Sequence, residues 1–367
     1  MVDGISHTAT VIIGAGQAGL VMGHELARRG LDYVILEESP RLGDSWRSRW
    51  DSLRLFTPAE HDGLPGLAFP APRGTFPTKD EFAGYLESYA AAHELNVRLN
   101  TPVTGLARLG EGWQIDAGSG GLSARNVVVA TGTNARPRVP SFATELDPGI
   151  VQLHSSAYHD TDSLPAGDVL VVGAGTSGAE IALELAATHR VSLSGRPTVH
   201  VPAVLLRRAG GLYWRFVNSV LTRDTPIGRK AAQGFGARGA PLIRISMDEL
   251  DAAGVTRLPR VAGAVGGRPV LADGRSIPAA SVVWATGYRP ELDWIEDLPR
   301  QADGWPVQER GVVGSRPGLF FLGIPFQYAL TSGLVGGVGR DAAYIADHIA
   351  RLPRETAVVG PKTASEL

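Results

Sequence analysis

Segments 11–30, VIIGAGQAGLVMGHELARRG, and 169–186, VLVVGAGTSGAEIALELA, are two copies of one pattern: an apolar strand, a glycine turn and an apolar-periodic helix. A chain that repeats this arrangement has few folds open to it. Each copy spells Gly-x-Gly-x-x-Gly, with Gly14, Gly16 and Gly19 in the first and Gly173, Gly175 and Gly178 in the second. The first glycine permits a tight turn, the second lets a pyrophosphate reach the backbone, and the third lets the helix pack close on the strand. The start of each helix aims free N–H groups at the phosphates, so Gln17 and Ala18 in one copy, and Thr176 and Ser177 in the other, join the expected contact set. One such motif alone is weak evidence; set twice between an apolar strand and an apolar-periodic helix, it is specific.

A second pair of segments follows the same plan. NVVVATGTN and SVVWATGYRP are apolar strands ending in Ala130-Thr131-Gly132 and Ala285-Thr286-Gly287, each at a similar distance beyond its glycine motif. The chain therefore reads as an α/β protein with two Rossmann-like dinucleotide-binding domains, the second inserted in the first. The expected boundaries are 1–160 and 286–352 for the outer domain, 165–285 for the inner one, and a C-terminal tail at 353–367.

The two copies differ at the strand after the helix. In the first, DYVILEES places Glu37, followed by Glu38, where a carboxylate accepts hydrogen bonds from an adenosine ribose. In the second the strand is RVSLSGRP. An ungapped alignment puts Arg196 opposite Glu37, and a two-residue gap puts Ser194 there. Neither is acidic, and an arginine at this end suits a 2′-phosphate through paired, charge-assisted bonds. The first site is thus expected to take FAD and the second NADPH.

Composition narrows the chemistry further. The 367 residues are 44% hydrophobic and carry a net charge of −2, which gives no global field for nucleic acid or an anionic membrane. Cysteine is absent, which removes disulfides, thiolate metal sites and redox dithiols together. The nine histidines show no paired ligand spacing, so no metal is expected. The sequence shows no secretory leader, and the expected location is the cytoplasm. The uncharged segment 318–339 has the length of a membrane span, but its glycines, Pro325 and Gln327 suit a buried strand and loop better. Segment 205–244 is basic, glycine-rich and interleaved with Tyr213, Trp214 and Phe216, and is expected as an excursion near substrate or NADPH entry, with a weak contact to a membrane surface as the alternative.

Together with both glycine motifs and both Ala-Thr-Gly strands, the stretches RLGDSWRSRWDSLRLFTP, FPTKDEFAGYL and GGVGRDAAYIADHI resemble the flavin-containing monooxygenase family, most of all its small bacterial members related to the plant YUCCA enzymes. The family's Gly-Gly-x-Trp element is similar to Gly43-Asp-Ser45-Trp46, one glycine short. The family signature between the nucleotide sites is similar to GIVQLHSSAY, with Gly149, His154 and Tyr158 and one extra residue before the histidine. The resemblance implies that this segment joins the domains without doing acid–base chemistry. It implies that NADPH reduces FAD and that dioxygen forms a C4a-hydroperoxide, which oxygenates a small soft nucleophile or a carbonyl compound. Trp46, Phe56 and Thr57 are expected near the flavin, and the helix after Gly337 is expected to aim its positive end at the flavin N1. No protein side chain is required as a nucleophile, since the cofactors carry the chemistry. A competing reading is an FAD-dependent NAD(P)H reductase passing electrons to a quinone or a carrier protein.

Overall fold

The structure is a computed structural model that describes residues 6–118, 120–235 and 241–352; the tail expected at 353–367 and residues 236–240 of the basic excursion lie outside them. In chain order the first unit holds β1 (Ser6–Ile13), α1 (Gln17–Ala27), β2 (Val34–Leu36), the one-turn α2 (Asp44–Arg47), α3 (Lys79–Ala92), β3 (Val97–Arg98), β4 (Val103–Leu109), β5 (Gly112–Ala117) and β6 (Gly120–Val129). A two-residue strand, β7 (Arg136–Pro137), leads out of it. The second unit holds β8 (Val151–His154), β9 (Asp168–Val172), α4 (Thr176–Leu185), β10 (Arg190–Ser194), α5 (Ala203–Ser219), α6 (Pro226–Phe235), α7 (Met247–Ala252), β11 (Thr256–Leu258), the hairpin β12 (Val261–Val265) and β13 (Arg268–Leu271), and β14 (Ser281–Trp284). The chain returns through β15 (Tyr288–Arg289), β16 (Leu319–Phe321) and α8 (Val338–Arg351).

Among the described residues the first sheet runs β3-β2-β1-β6-β5-β4, with β16 alongside β6, and the second runs β11-β10-β9-β14-β8. β1 is parallel to both its neighbours. Val11 and Ile12 have no exposed surface, as a strand covered on both faces requires. One face of this sheet is closed by α1, α3 and α8, through a cluster that includes Leu20, Phe82 and Ile345. α3 begins at a capping box in which Thr78 accepts from Glu81 N while Glu81 returns a bond to Thr78 N. Such a cap is worth about 1 kcal/mol. The second sheet is parallel throughout, and Ala179, Ile181 and Leu185 of α4 pack on Val169, Val171 and Leu193.

The inner unit begins earlier than the sequence suggests. β8 pairs with β14 in the second sheet from Val151 onward, so the crossing lies before Val151 and not at 160–165. The two crossings are tied together. β7 and β15 form an antiparallel ribbon, Arg138 N donates to Gly287 O at 2.9 Å, and the Thr286 hydroxyl donates to Arg138 O.

The basic excursion becomes α5 and α6, and these helices lean back on the outer unit. Leu330 N donates to Leu221 O at 3.0 Å, Arg223 N donates to Tyr328 O at 2.8 Å, and Arg340 donates to Asn218 O at 2.9 Å. Segment 318–339 is the buried β16, a short loop and two one-turn helices leading into α8. No helix among the described residues is long and apolar enough to cross a membrane.

Candidate functional site

The two glycine turns are built alike. Gly14 N donates to Leu36 O at 2.7 Å, and Gly173 N donates to Ser194 O at 2.8 Å. The Ala-Thr-Gly strand ends abut them. A Cβ on Gly14 would stand 2.8 Å from Ala130 O, and one on Gly173 would stand 2.2 Å from Ala285 O. Both glycines also have positive φ, +99° and +116°. A Cβ on Gly19 or Gly178 would stand 1.8 Å from the carbonyl oxygen of Gly14 or Gly173, so the helix crosses the turn too closely for any side chain. The outer glycines of each motif are therefore demanded by the protein's own packing.

The middle glycines are not. Gly16 and Gly175 have ordinary φ values of −71° and −82°, and no atom beyond their chain neighbours lies within 4 Å of where their Cβ would be. Neither strain nor crowding requires glycine at these two positions. A pyrophosphate lying on the backbone at the start of α1 and α4 would. The residues present thus fit a dinucleotide at each turn.

The two strand ends expected to meet a ribose differ in their surroundings, and the alignment of the second needs a correction. The Glu37 carboxylate accepts from Ala15 N at 2.7 Å and from Ser39 N at 3.0 Å, which fixes it at the mouth of the first turn. Glu38 beside it is exposed. In the second unit Ser194 is fully buried. Its hydroxyl donates to Pro259 O at 2.8 Å and accepts from Val261 N at 3.0 Å, so it is committed to the fold and not to a ribose. The bonds from Gly14 to Leu36 and from Gly173 to Ser194 make those two strand ends equivalent. Gly195 therefore stands opposite Glu37, and Arg196, which is exposed, stands opposite Glu38.

The remaining expected residues separate by place. Thr131 and Gly132 lie exposed at the end of β6, beside the first turn. Thr286 and Gly287 are taken up in the crossing ribbon, where Gly287 O also meets His154 Nε2 at 3.0 Å. Burial holds the His154 imidazole below its ordinary pKa, so it is neutral at pH 7 and serves the joint between the units. Tyr158 is fully buried in the inner unit. Gly43 has φ +80°, and a Cβ there would stand 2.8 Å from Ala83 of α3; Ser45 is exposed. Trp46 lies where the cores of the two units meet, with its ring edge-on to Phe82 at 4.7 Å between centroids. Thr176 donates its hydroxyl to Pro241 O at 3.1 Å.

A cleft of about 190 Å³ opens between the outer unit and α5. Thr57 and His61 form one wall, Trp214 and Asn218 of α5 the other, and Thr331 with Gly336 and Gly337 the end nearest α8. The loop is tight: a Cβ on Gly336 would stand 2.2 Å from His61 O and one on Gly337 1.9 Å from Thr331 O. The His61 and Trp214 rings meet at 5.2 Å, and Thr331 donates its hydroxyl to Asn218 Oδ1 at 2.5 Å. Phe56 is half-buried next to Thr57. Behind the wall, the Thr57 hydroxyl donates to Asp62 Oδ1, while Asp62 Oδ2 has no partner among the described residues and the residue no exposed surface. Burial, with the charge of Glu60 adding and the bond from Thr57 opposing, pushes the Asp62 carboxyl up to about 7. Among the described residues no group of three or more His, Cys, Asp or Glu side chains is placed to hold a metal.

Residues 11–201 match the family model described as pyridine nucleotide-disulphide oxidoreductase. The chain belongs to that family. It is similar to an oxidoreductase, CzcO-like, of Geobacillus kaustophilus, 38% identical over 92% of this chain and 97% of the relative. It is also similar to the indole-3-pyruvate monooxygenase YUCCA1 of Oryza sativa subsp. japonica, 39% identical over 59% of this chain and 54% of that protein. A solved flavin-containing monooxygenase from Stenotrophomonas maltophilia superposes with a TM-score of 0.76 at 26% identity, covering 94% of this chain and 99% of that one. The resemblance to flavin-containing monooxygenases thus holds along nearly the whole chain, and the protein is an oxidoreductase of the flavoprotein monooxygenase type. FAD and NADPH, the cofactors read from the two turns, are those of the flavin monooxygenases in this family.

Within this pyridine-nucleotide family fold, sequence reasoning missed Asp62, Asn218 and Thr331. Asp62 lies in a loop with no period, and the other two meet only when α5 folds back on the outer unit.

Proposed function

We propose that this protein is an NADPH-dependent, single-component FAD monooxygenase acting on a small soft nucleophile or a carbonyl compound in the cleft beside Thr57. The observation that carries the reading is the pair Gly16 and Gly175, each open where its own motif neighbours are crowded, which supports two dinucleotides and not one. Bound FAD supplies the redox chemistry: hydride uptake from NADPH and activation of dioxygen, one oxygen atom going to substrate and the other to water.

The chain's part is to bind, orient and exclude water. Glu37, held by Ala15 N and Ser39 N, offers its remaining lone pairs to the ribose of FAD. The start of α8 at Val338 presents a positive helix end beside the cleft, worth roughly 0.3–1 kcal/mol toward a nearby negative charge. Trp214 and His61 close the cleft with aromatic surface, and Asn218, Thr57 and Thr331 give it fixed polar groups. The neutral His154 holds the crossing ribbon and so the angle between the units. The organic substrates offered in the test are amines, thioethers and 2-oxo acids.

The test is a parallel measurement of NADPH oxidation, oxygen uptake and peroxide release. A monooxygenase consumes NADPH and oxygen in equal amounts and releases less peroxide once a substrate is present. Rapid NADPH oxidation with a quinone or carrier protein, with no substrate in the series oxygenated, overturns the reading in favour of a reductase.

A further inference from the structure

The two units can be superposed residue by residue through their strand registers. In the outer unit Ile12 pairs with Ile35, and Ile35 with Val97 of β3. In the inner unit Val171 pairs with Leu193, and Leu193 with Arg257 of β11. Leu36 is equivalent to Ser194, so Ile35 is equivalent to Leu193 and Val97 to Arg257. Around the same nucleotide end, the outer unit has Glu37 and Val97 where the inner unit has Gly195 and Arg257. The carboxylate is lost, and the arginine of the neighbouring strand moves by one residue, since Arg98 of the outer unit is matched by Leu258 and Val97 by Arg257.

The surroundings agree with that exchange. In the outer unit the Glu37 carboxylate sits on Ala15 N. In the inner unit the matching amide is Ala174 N, and a Cβ on Gly195 would stand 3.1 Å from it at a φ of +134°. A side chain at that position would be strained by its backbone and would crowd Ala174 N. The space is instead a cleft of about 200 Å³ outside the carboxyl ends of β9, β10 and β11, lined by Ala174, Gly195, Pro197, Met247 and Arg257. This is the place where open α/β sheets take their ligands. The Arg257 guanidinium is half-exposed, and its Nη2 bonds Asp251 Oδ2 of α7 at 2.7 Å. That bond orients the fork and uses only part of its donor set.

The geometry points to Arg257 as a second cation for the adenosine 2′-phosphate of the coenzyme. Arg196 approaches that phosphate from the end of β10, and Arg257 approaches from β11 with Asp251 setting its direction. This assignment rests on the NADPH reading given above. A dianionic phosphate held by two guanidinium forks gains from each, since charge-assisted pairs are the strong ones.

The experiment is calorimetric titration of the FAD-loaded protein with 2′,5′-ADP and with 5′-AMP, for wild type and for Arg257→Gln, Arg257→Lys and Arg196→Gln. These probes need no turnover. The wild type is expected to bind 2′,5′-ADP more tightly than 5′-AMP. Arg257→Gln is expected to weaken 2′,5′-ADP by roughly tenfold to a hundredfold, the scale of one charged hydrogen-bond pair, and to leave 5′-AMP unchanged. Arg257→Lys keeps the charge but loses the fork, and is expected to fall between the two. Undiminished 5′-AMP binding reports that the inner unit is folded. If Arg257→Gln keeps the wild-type ratio of the two affinities while Arg196→Gln loses it, the assignment of Arg257 is overturned and the NADPH reading stands. If Arg257→Gln weakens both probes alike, Arg257 is structural and the assignment also falls. If the wild type itself does not distinguish the two probes, the NADPH reading fails and takes this assignment with it.

Discussion

The carboxylate of Glu37 accepts the backbone N–H of Ala15 at 2.7 Å, across the mouth of the first glycine turn. A second backbone donor, Ser39 N, reaches its other oxygen at 3.0 Å. The side chain is therefore positioned before any ribose arrives, and Glu37→Gln takes away both the charge and one acceptor. The expected loss is about 1.5–3 kcal/mol in FAD affinity, or roughly tenfold to a hundredfold. Titration of apoprotein with FAD, followed by flavin fluorescence, measures it. NADP⁺ binding is the control, because it belongs to the other unit. An unchanged FAD affinity rejects Glu37 as the ribose ligand.

The contrast between Gly14 and Gly16 separates folding from binding. Gly16→Val places a β-branched side chain on extended backbone with open space around it, so apoprotein stability is expected to move by no more than about 1 kcal/mol. The same side chain occupies the path of the pyrophosphate, and bound flavin is expected to be lost. Gly14→Ala forces a Cβ against Ala130 O at a φ of +99°, and the apoprotein is expected to melt well below wild type. Thermal melts of the two apoproteins and the flavin content after reconstitution decide the matter. A Gly16→Val protein that keeps full FAD occupancy removes the main support for the outer site.

The strand–turn–helix units were legible in the sequence because everything that makes them is local: a β-branched run, glycines at fixed offsets and an apolar-periodic helix. The ribose alignment was not, for two reasons. α4 spans 10 residues where α1 spans 11, and Ser192 and Ser194 break the apolar run that would mark the end of β10. Ser194 is tolerated in a buried strand only because Pro259 O and Val261 N, distant in sequence, satisfy its hydroxyl. The early start of the inner unit was hidden for a similar reason, since β8 is a four-residue edge strand defined by its pairing with β14. The cleft was the least legible part. Its far wall is α5, and the meeting of Trp214 with His61 and of Asn218 with Thr331 depends on how that helix folds back.

Arg196 stands opposite Glu38, exposed at the carboxyl end of the inner sheet. Replacing it with alanine is expected to lower the preference for NADPH over NADH by roughly tenfold or more, the worth of a charge-assisted bond to phosphate. The measurement is the ratio of flavin reduction rates with the two coenzymes, each below saturation. The effect is expected to shrink at high salt, since an exposed charge is screened. A ratio that ignores Arg196, or a wild type that prefers NADH, rejects the assignment.

Asp62 gives the stability of the outer unit a pH dependence of predictable sign. Its carboxyl is pushed up to about 7 in the folded chain, chiefly by burial, from an ordinary value of 3.8. Between those two values the folded protein holds a proton that the unfolded chain has released, so folding takes up a proton and stability falls as pH rises. Above about 7 the group is ionised in both states and the loss is complete. The full effect is at most about 4 kcal/mol. The side-chain amide of the Asp62→Asn variant cannot ionise and retains a group able to bond Thr57. Melting temperatures of wild type and variant, compared at about pH 5 and about pH 8, are expected to diverge, with the variant gaining on wild type at the higher pH. Glu180, which burial also pushes up to about 7 despite its bond to Arg244, contributes to both proteins and cancels in the comparison. Parallel pH profiles for the two proteins overturn the account, because they leave no proton released from Asp62 on unfolding.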